Sequence, residues 1–145
     1  MLSDDSRSFG DTARWQAALD PHAGTFSCLA AGSRIGLVAE SAVNGRAAAG
    51  SQMLVWQATD EGLRVATEPF CGFDAAEVDI LIAADAAALA SLHASLDGDL
   101  LGSLRSLIRN GHILFFARKT RRSLEDAGYE DLLDQLGFAF MGVCR

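Results

Sequence analysis

Proline is nearly missing from this chain: Pro21 and Pro69 are the two in 145 residues, which excludes a proline-rich linker architecture. Cysteine is scarce as well. Cys28, Cys71 and Cys144 are odd in number, widely spaced and form no C-x-x-C. Such a set argues against a disulfide framework and for a reducing, cytoplasmic setting. Long apolar runs are absent, since the best candidate, Val78 to Ala90, is interrupted by Asp79 and Asp85. No membrane span is therefore expected. The opening residues, MLSDDSRSFGD, show no basic stretch followed by an apolar one, so a secretory signal is not expected either. Bases are in deficit. Twelve Lys and Arg face 19 Asp and Glu, for a formal charge of −7 and a pI near 4.8. That balance argues against a general nucleic-acid binder. There is no G-x-x-x-x-G-K-[ST] phosphate loop and no G-x-S-x-G nucleophile elbow.

What is present is a globular composition, 50% hydrophobic and 21% charged, with enough chain for one core. Residues 1–10 read as a flexible lead-in and 11–145 as a single α/β domain. Asp11 is placed to cap a helix from Thr12 to Leu19, which Asp20-Pro21 should end. Arg34 to Ala39 (RIGLVA) reads as a strand. The small-residue stretch Ser41 to Gly50 is either a short helix or a loop. Met53–Gln57 and Leu63–Thr67 read as an antiparallel pair around the turn Thr59-Asp60-Glu61-Gly62. Val78 to Ala84 is a β-branched apolar run of the kind buried on both faces. Asp85 then caps a helix bearing Leu89, Leu92 and Leu96, and Asp97-Gly98-Asp99 breaks it. A second helix carries Leu100, Leu101, Leu104, Leu107 and Ile108 and closes at Asn110-Gly111. His112 to Ala117 is another apolar run. Ser123-x-x-Asp126 resembles a capping box for a last helix with Leu124, Leu132, Leu133 and Leu136, closed by Gly137. Phe138 to Val143 reads as a final strand. The βαβαβ order predicts a three-layer Rossmann-like domain, its sheet mostly parallel with an antiparallel hairpin in the first half. Trp56, Phe70, Phe73, Phe115, Phe116, Phe138 and Phe140 are assigned to the core.

Three segments, VDILIAAD, LRSLIRNGHILFF and EDLLDQLGFAFMGV, are similar in order and spacing to the second half of class I S-adenosylmethionine-dependent methyltransferases. The resemblance covers roughly residues 78–143. The first half departs from that family: RIGLVAE runs into SAVNGRAAAG with no G-x-G-x-G, and no helix separates the second and third strands. The resemblance thus implies a truncated relative without a cofactor. Alternatively, it implies a degenerate domain binding S-adenosylmethionine or another nucleotide-like ligand near Glu40, Ser41, Asp60 and Asp85.

Charge is segregated. Residues 60–99 hold nine acids against Arg64 alone, and residues 105–122 hold six bases and no acid. Arg118, Lys119, Arg121 and Arg122 leave the carboxyl end of a predicted parallel strand, the edge where open α/β sheets bind ligands. They also enter a helix N-terminus, where the macrodipole disfavours cations. Either an anion or acidic partner compensates them, or they form a solvated face with Arg121–Glu125 and Arg122–Asp126 pairs. Asp85 reads as an N-cap before it reads as a ligand-binding acid, and Asp60 as a turn residue. His22, His93 and His112 lack metal-ligand spacing, so no metal is expected. Cys71 sits in a Gly-flanked loop, but its acidic surroundings lack the base or cation a nucleophilic thiol needs. No catalytic constellation emerges. The sequence points to a small cytoplasmic accessory or regulatory domain acting through protein contacts. Self-association is a further expectation, the acidic segment of one copy facing the basic segment of another.

Overall fold

A computed structural model describes residues 12–27, 29–40, 52–60, 62–70, 72, 77–96 and 98–136. The elements in chain order are α1 (Thr12–Leu19), a 3-10 turn (Asp20–His22), α2 (Ala23–Phe26), β1 (Arg34–Ala39), β2 (Gln52–Thr59), β3 (Gly62–Pro69), β4 (Ile80–Ala84), α3 (Ala86–Ala94), α4 (Leu100–Arg109), β5 (Ile113–Ala117), α5 (Arg121–Asp126) and α6 (Glu130–Gln135). The strands form one sheet in the order β3-β2-β1-β4-β5.

The sheet corrects the mostly parallel Rossmann-like expectation. Among the described strands only β1 and β4 run parallel, with Leu37 beside Ile82. The β3–β2, β2–β1 and β4–β5 pairs are all antiparallel, and Ile82 lies opposite Phe115 in the last of them. The reason lies in the helices between β4 and β5. One helix after a strand carries the chain back to the strand's start, so the next strand runs parallel. Here there are two. The nine residues of α3 and ten of α4 each span about 14–15 Å at 1.5 Å per residue, close to the roughly 17 Å of five-residue β4. The first helix takes the chain down and the second brings it back up. Strand β5 therefore begins where β4 ended and must run the other way.

Residues from all six described helices join one apolar cluster on one face of the sheet. Trp15, Phe26, Leu92, Leu104, Leu124 and Leu133 meet Ile35, Leu37, Leu54, Trp56, Ile80 and Ile82. The opposite face carries Val38, Met53, Val55, Leu81 and Ala83, joined by Phe70 and Val78 from the connection between β3 and β4. The described helices are thus one layer, where two had been expected. Gly36 sits in the middle of β1 because a Cβ there would fall 2.6 Å from Met53 Sδ on that second face.

Helix α1 ends at Leu19, just before Asp20-Pro21, as expected, and a 3-10 turn and α2 follow it directly. Other local expectations are corrected. The expected last helix is two, parted at Gly128, whose φ is +89°. Its N-cap is Thr120, whose hydroxyl accepts the Ser123 N–H at 3.1 Å. Strand β4 is buried along its whole length, whereas β5 is only partly so, with Leu114 exposed. Asp11, Cys28, Ser41 and the 41–50 stretch, Cys71, Phe73, the side chain of Arg121, Gly137, Cys144 and the expected Phe138–Val143 strand lie outside the described residues.

Candidate functional site

Strand direction sorts the candidate residues to two ends of the sheet. At the carboxyl end of the parallel pair, Glu40 follows β1 and Asp85 follows β4. Strand β2 runs back from that end, so the turn carrying Asp60 lies at the amino end of β1, where Arg34 pairs with Gln57. Strand β5 also runs back, so Arg118 and Lys119 emerge at the amino end of β4, and the Arg118 N–H donates to the Asp79 carbonyl at 2.8 Å. Asp60 is therefore about one strand length, roughly 20 Å, from Glu40 and Asp85. The four basic residues do not lie at the carboxyl edge that sheet-binding rules favour.

At the carboxyl end, Asp85 caps α3. Its extended backbone presents Oδ1 to the Ala88 N–H at 2.8 Å. Its other oxygen, Oδ2, lies 2.9 Å from His112 Nδ1. His112 is aimed by the end of α4. Gly111 adopts φ +85°, the Gly111 N–H donates to Ile108 O and the His112 N–H donates to Leu107 O. That pair of hydrogen bonds closes a helix through a left-handed glycine and turns the following residue back across the last turn. The hydrogen bond to His112, followed by the one from Ala88, holds the Asp85 carboxyl below its ordinary pKa. The His112 side chain is exposed and that of Asp85 half-buried.

The amino end repeats the device. Gly128 closes α5, with the Gly128 N–H on Glu125 O and the Tyr129 N–H on Leu124 O. The next residue, Tyr129, is fully buried, and its hydroxyl donates to Asp79 Oδ2 at 2.7 Å, with the Arg34 carbonyl oxygen 3.3 Å away. Burial, then the bond to Asp79, pushes the phenol far above its usual pKa, so it stays a donor. The Arg34 N–H also donates to Asp79 Oδ2, and Lys119 Nζ lies 3.5 Å from Asp79 Oδ1. The Arg34 guanidinium bonds Gln57 and Glu68 on the other face of the sheet, leaving its Nε buried without a partner among the described residues. An open groove of about 420 Å³ lies beside this hub, lined in part by Ser33, Asp79, Lys119, Ser123 and Asp126.

A second concavity, about 380 Å³, opens between α1, α2 and the β2–β3 turn. Its floor is apolar: Leu19, Phe26, Leu29 and Ala58 are buried, and Leu63 is partly so. Its rim is polar, with Gln16, Asp20, Ser27, Thr59 and Asp60. Gln16 organises one wall. Its Nε2 donates to Leu63 O at 2.6 Å and Asp20 Oδ1 at 3.2 Å, while its Oε1 accepts the Val65 N–H at 2.9 Å. The carboxamide thus stands in for a neighbouring strand on the outer edge of β3. The Thr59 hydroxyl donates to Gly62 O at 2.7 Å and stiffens the turn that carries Asp60.

No protein-family model, curated protein or solved structure matches the chain. No described helix is long and apolar enough to cross a membrane, and no three His, Cys, Asp or Glu among the described residues could together hold a metal. Gln16, Asp79 and Tyr129 escaped the sequence reading. The one available signal was Gly128-Tyr129 after a helix, the same pattern as Gly111-His112. Its consequence depends on what lies across the fold.

Proposed function

We propose that this chain is a cytoplasmic accessory domain without catalytic activity of its own, acting by contact with another protein. The cleft between α1, α2 and the β2–β3 turn is the contact site. The observation that carries the reading is that cleft: a buried apolar floor, open to solvent, at the edge of the sheet. Apolar concavities with a few polar groups at the rim are where proteins bind other molecules. The charged groups at the sheet ends are engaged differently. Asp85 caps a helix and Asp79 ties Tyr129 and Arg34 together. Charge pairing between copies is the weaker driver, because the acidic and basic segments already meet within one chain at Asp79 and Lys119.

The test is affinity capture from the source cell's extract by the wild-type chain and by Ser27→Trp, which fills the cleft from an exposed lining position. A partner held by wild type and lost by Ser27→Trp is the expected result. Capture of nothing, together with elution as a monomer at low and high salt, overturns the reading. Capture indifferent to Ser27→Trp removes the cleft from it.

A further inference from the structure

We infer that the cleft takes a basic side chain, arginine or lysine, presented by a protein partner; this rests on the contact reading above. Three observations at the cleft specify the ligand. First, the floor offers apolar surface along its length: Leu19, Phe26, Leu29, Ala58 and Leu63. At about 380 Å³ it lies at the small end of binding pockets, suited to one long side chain. Second, the rim carries two exposed carboxylates, Asp20 from the 3-10 turn and Asp60 from the hairpin turn, and no lysine, arginine or histidine among the described lining residues. Third, the rim acids are positioned and unspent. Gln16 donates to one oxygen of Asp20 and leaves the other without a partner among the described residues, and the Thr59 bond fixes the turn that bears Asp60. Neither acid has a cation partner among the described residues.

A ligand matching this arrangement has an apolar stem and a cationic head. Arginine and lysine side chains bury their methylenes along apolar surface while the charge stays at the water boundary. A neutral apolar group would desolvate the two acids without compensating them. An anionic one would meet repulsion from the rim and from a chain of net charge −7.

The experiment uses the full chain and three probes of equal stem: n-butylguanidinium, n-butylammonium and n-butanol, followed by two-dimensional NMR at the Leu19, Leu29 and Leu63 methyls. A fourth arm is an alanine-based peptide with one central arginine. Both cations should shift those methyls saturably and bind more tightly than butanol, and the peptide should bind at least as tightly as n-butylguanidinium. Asp20→Asn and Asp60→Asn should each weaken the cations by about two- to fivefold, the range for an exposed ion pair, and together by about tenfold. Butanol binding should not change. Asparagine keeps the acceptor for Gln16, and unchanged melting curves confirm folding. The inference is overturned if no cation shifts the methyls, if butanol binds equally well, or if the double variant keeps full cation affinity. A free cation binding much more tightly than the peptide overturns the protein source. The contact reading stands apart: a captured partner lost with Ser27→Trp but retained by the double Asp→Asn variant sinks this inference and leaves that reading intact.

Discussion

At the residue scale, two aspartates bracket β4. Asp79 precedes it and Asp85 follows it, and each meets the residue after a helix-closing glycine, Tyr129 or His112. Their energetics differ because their burial differs. Tyr129 is fully buried, and its hydroxyl satisfies a carboxylate that is mostly out of water. Tyr129→Phe removes one of two donors to Asp79 Oδ2, the Arg34 N–H remaining, and should cost about 1.5–3 kcal/mol, the worth of a hydrogen bond to a charged group. Lys119→Ala removes a longer contact from an exposed amine and should cost less than about 1 kcal/mol. Urea unfolding midpoints of the two variants rank them. Asp85 makes a pH argument instead. Its folded pKa is lowered, so the stability it contributes is fully present above the ordinary carboxylate value of about 4 and is lost as pH falls through the lowered folded value. Asp85→Asn keeps the cap oxygen and removes the titration. Its unfolding free energy should decline less steeply below about pH 4 than that of wild type, and parallel curves would show that the bond to His112 is idle.

At the element scale, most of the secondary structure was legible. Apolar alternation and run length mark β1 to β4, the Thr59–Gly62 turn marks the hairpin, and Asp85 and Gly111 mark a helix start and a helix end, all as observed. The misses have local causes. Helix α1 stops at Leu19 before Asp20-Pro21 as read, but no local pattern marks the 3-10 turn and α2 beyond it, which Pro21 permits because a proline in the first turn of a helix has no N–H partner to lose. Leu124, Leu132, Leu133 and Leu136 face one core, so their spacing conceals the break at Gly128. Gly36 was read only as part of an apolar run. Its need for hydrogen at Cα comes from Met53 and Val78, which approach a built Cβ to 2.6 and 3.2 Å. Gly36→Ala should destabilise by about 1–3 kcal/mol through overpacking, measured by thermal or urea unfolding. A neutral result would mean that Met53 swings aside without cost.

At the scale of the whole molecule, the decisive feature is the direction of β5. The order and spacing of the segments from Val78 onward are compatible with a parallel arrangement, and those quantities carry no record of strand direction. With Ile82 opposite Phe115 in the antiparallel ladder, the Asp79–Arg118 and Asp85–His112 positions are hydrogen-bonded pairs. Ile82–Phe115 is then one of the close, non-hydrogen-bonded pairs, with Cα atoms about 4.5 Å apart. A strong Hα–Hα nuclear Overhauser effect between Ile82 and Phe115 is expected. Its absence would contradict this pairing register of β4 with β5.

Most strands and helices, the caps at Asp85 and Gly111, and the acidic, cysteine-poor character of the chain were readable from residues alone, because they follow from neighbours three or four residues apart and from composition. Only the tertiary structure decided which polar groups share an end. The antiparallel return of β2 parts Asp60 from Asp85, and two helices between β4 and β5 reverse β5 and part Arg118 and Lys119 from it. The same folding brings Tyr129 onto Asp79 across 50 residues and Gln16 onto Leu63 across 47. Such contacts depend on which elements the chain brings to the same end of the sheet, which neighbours three or four residues apart do not encode.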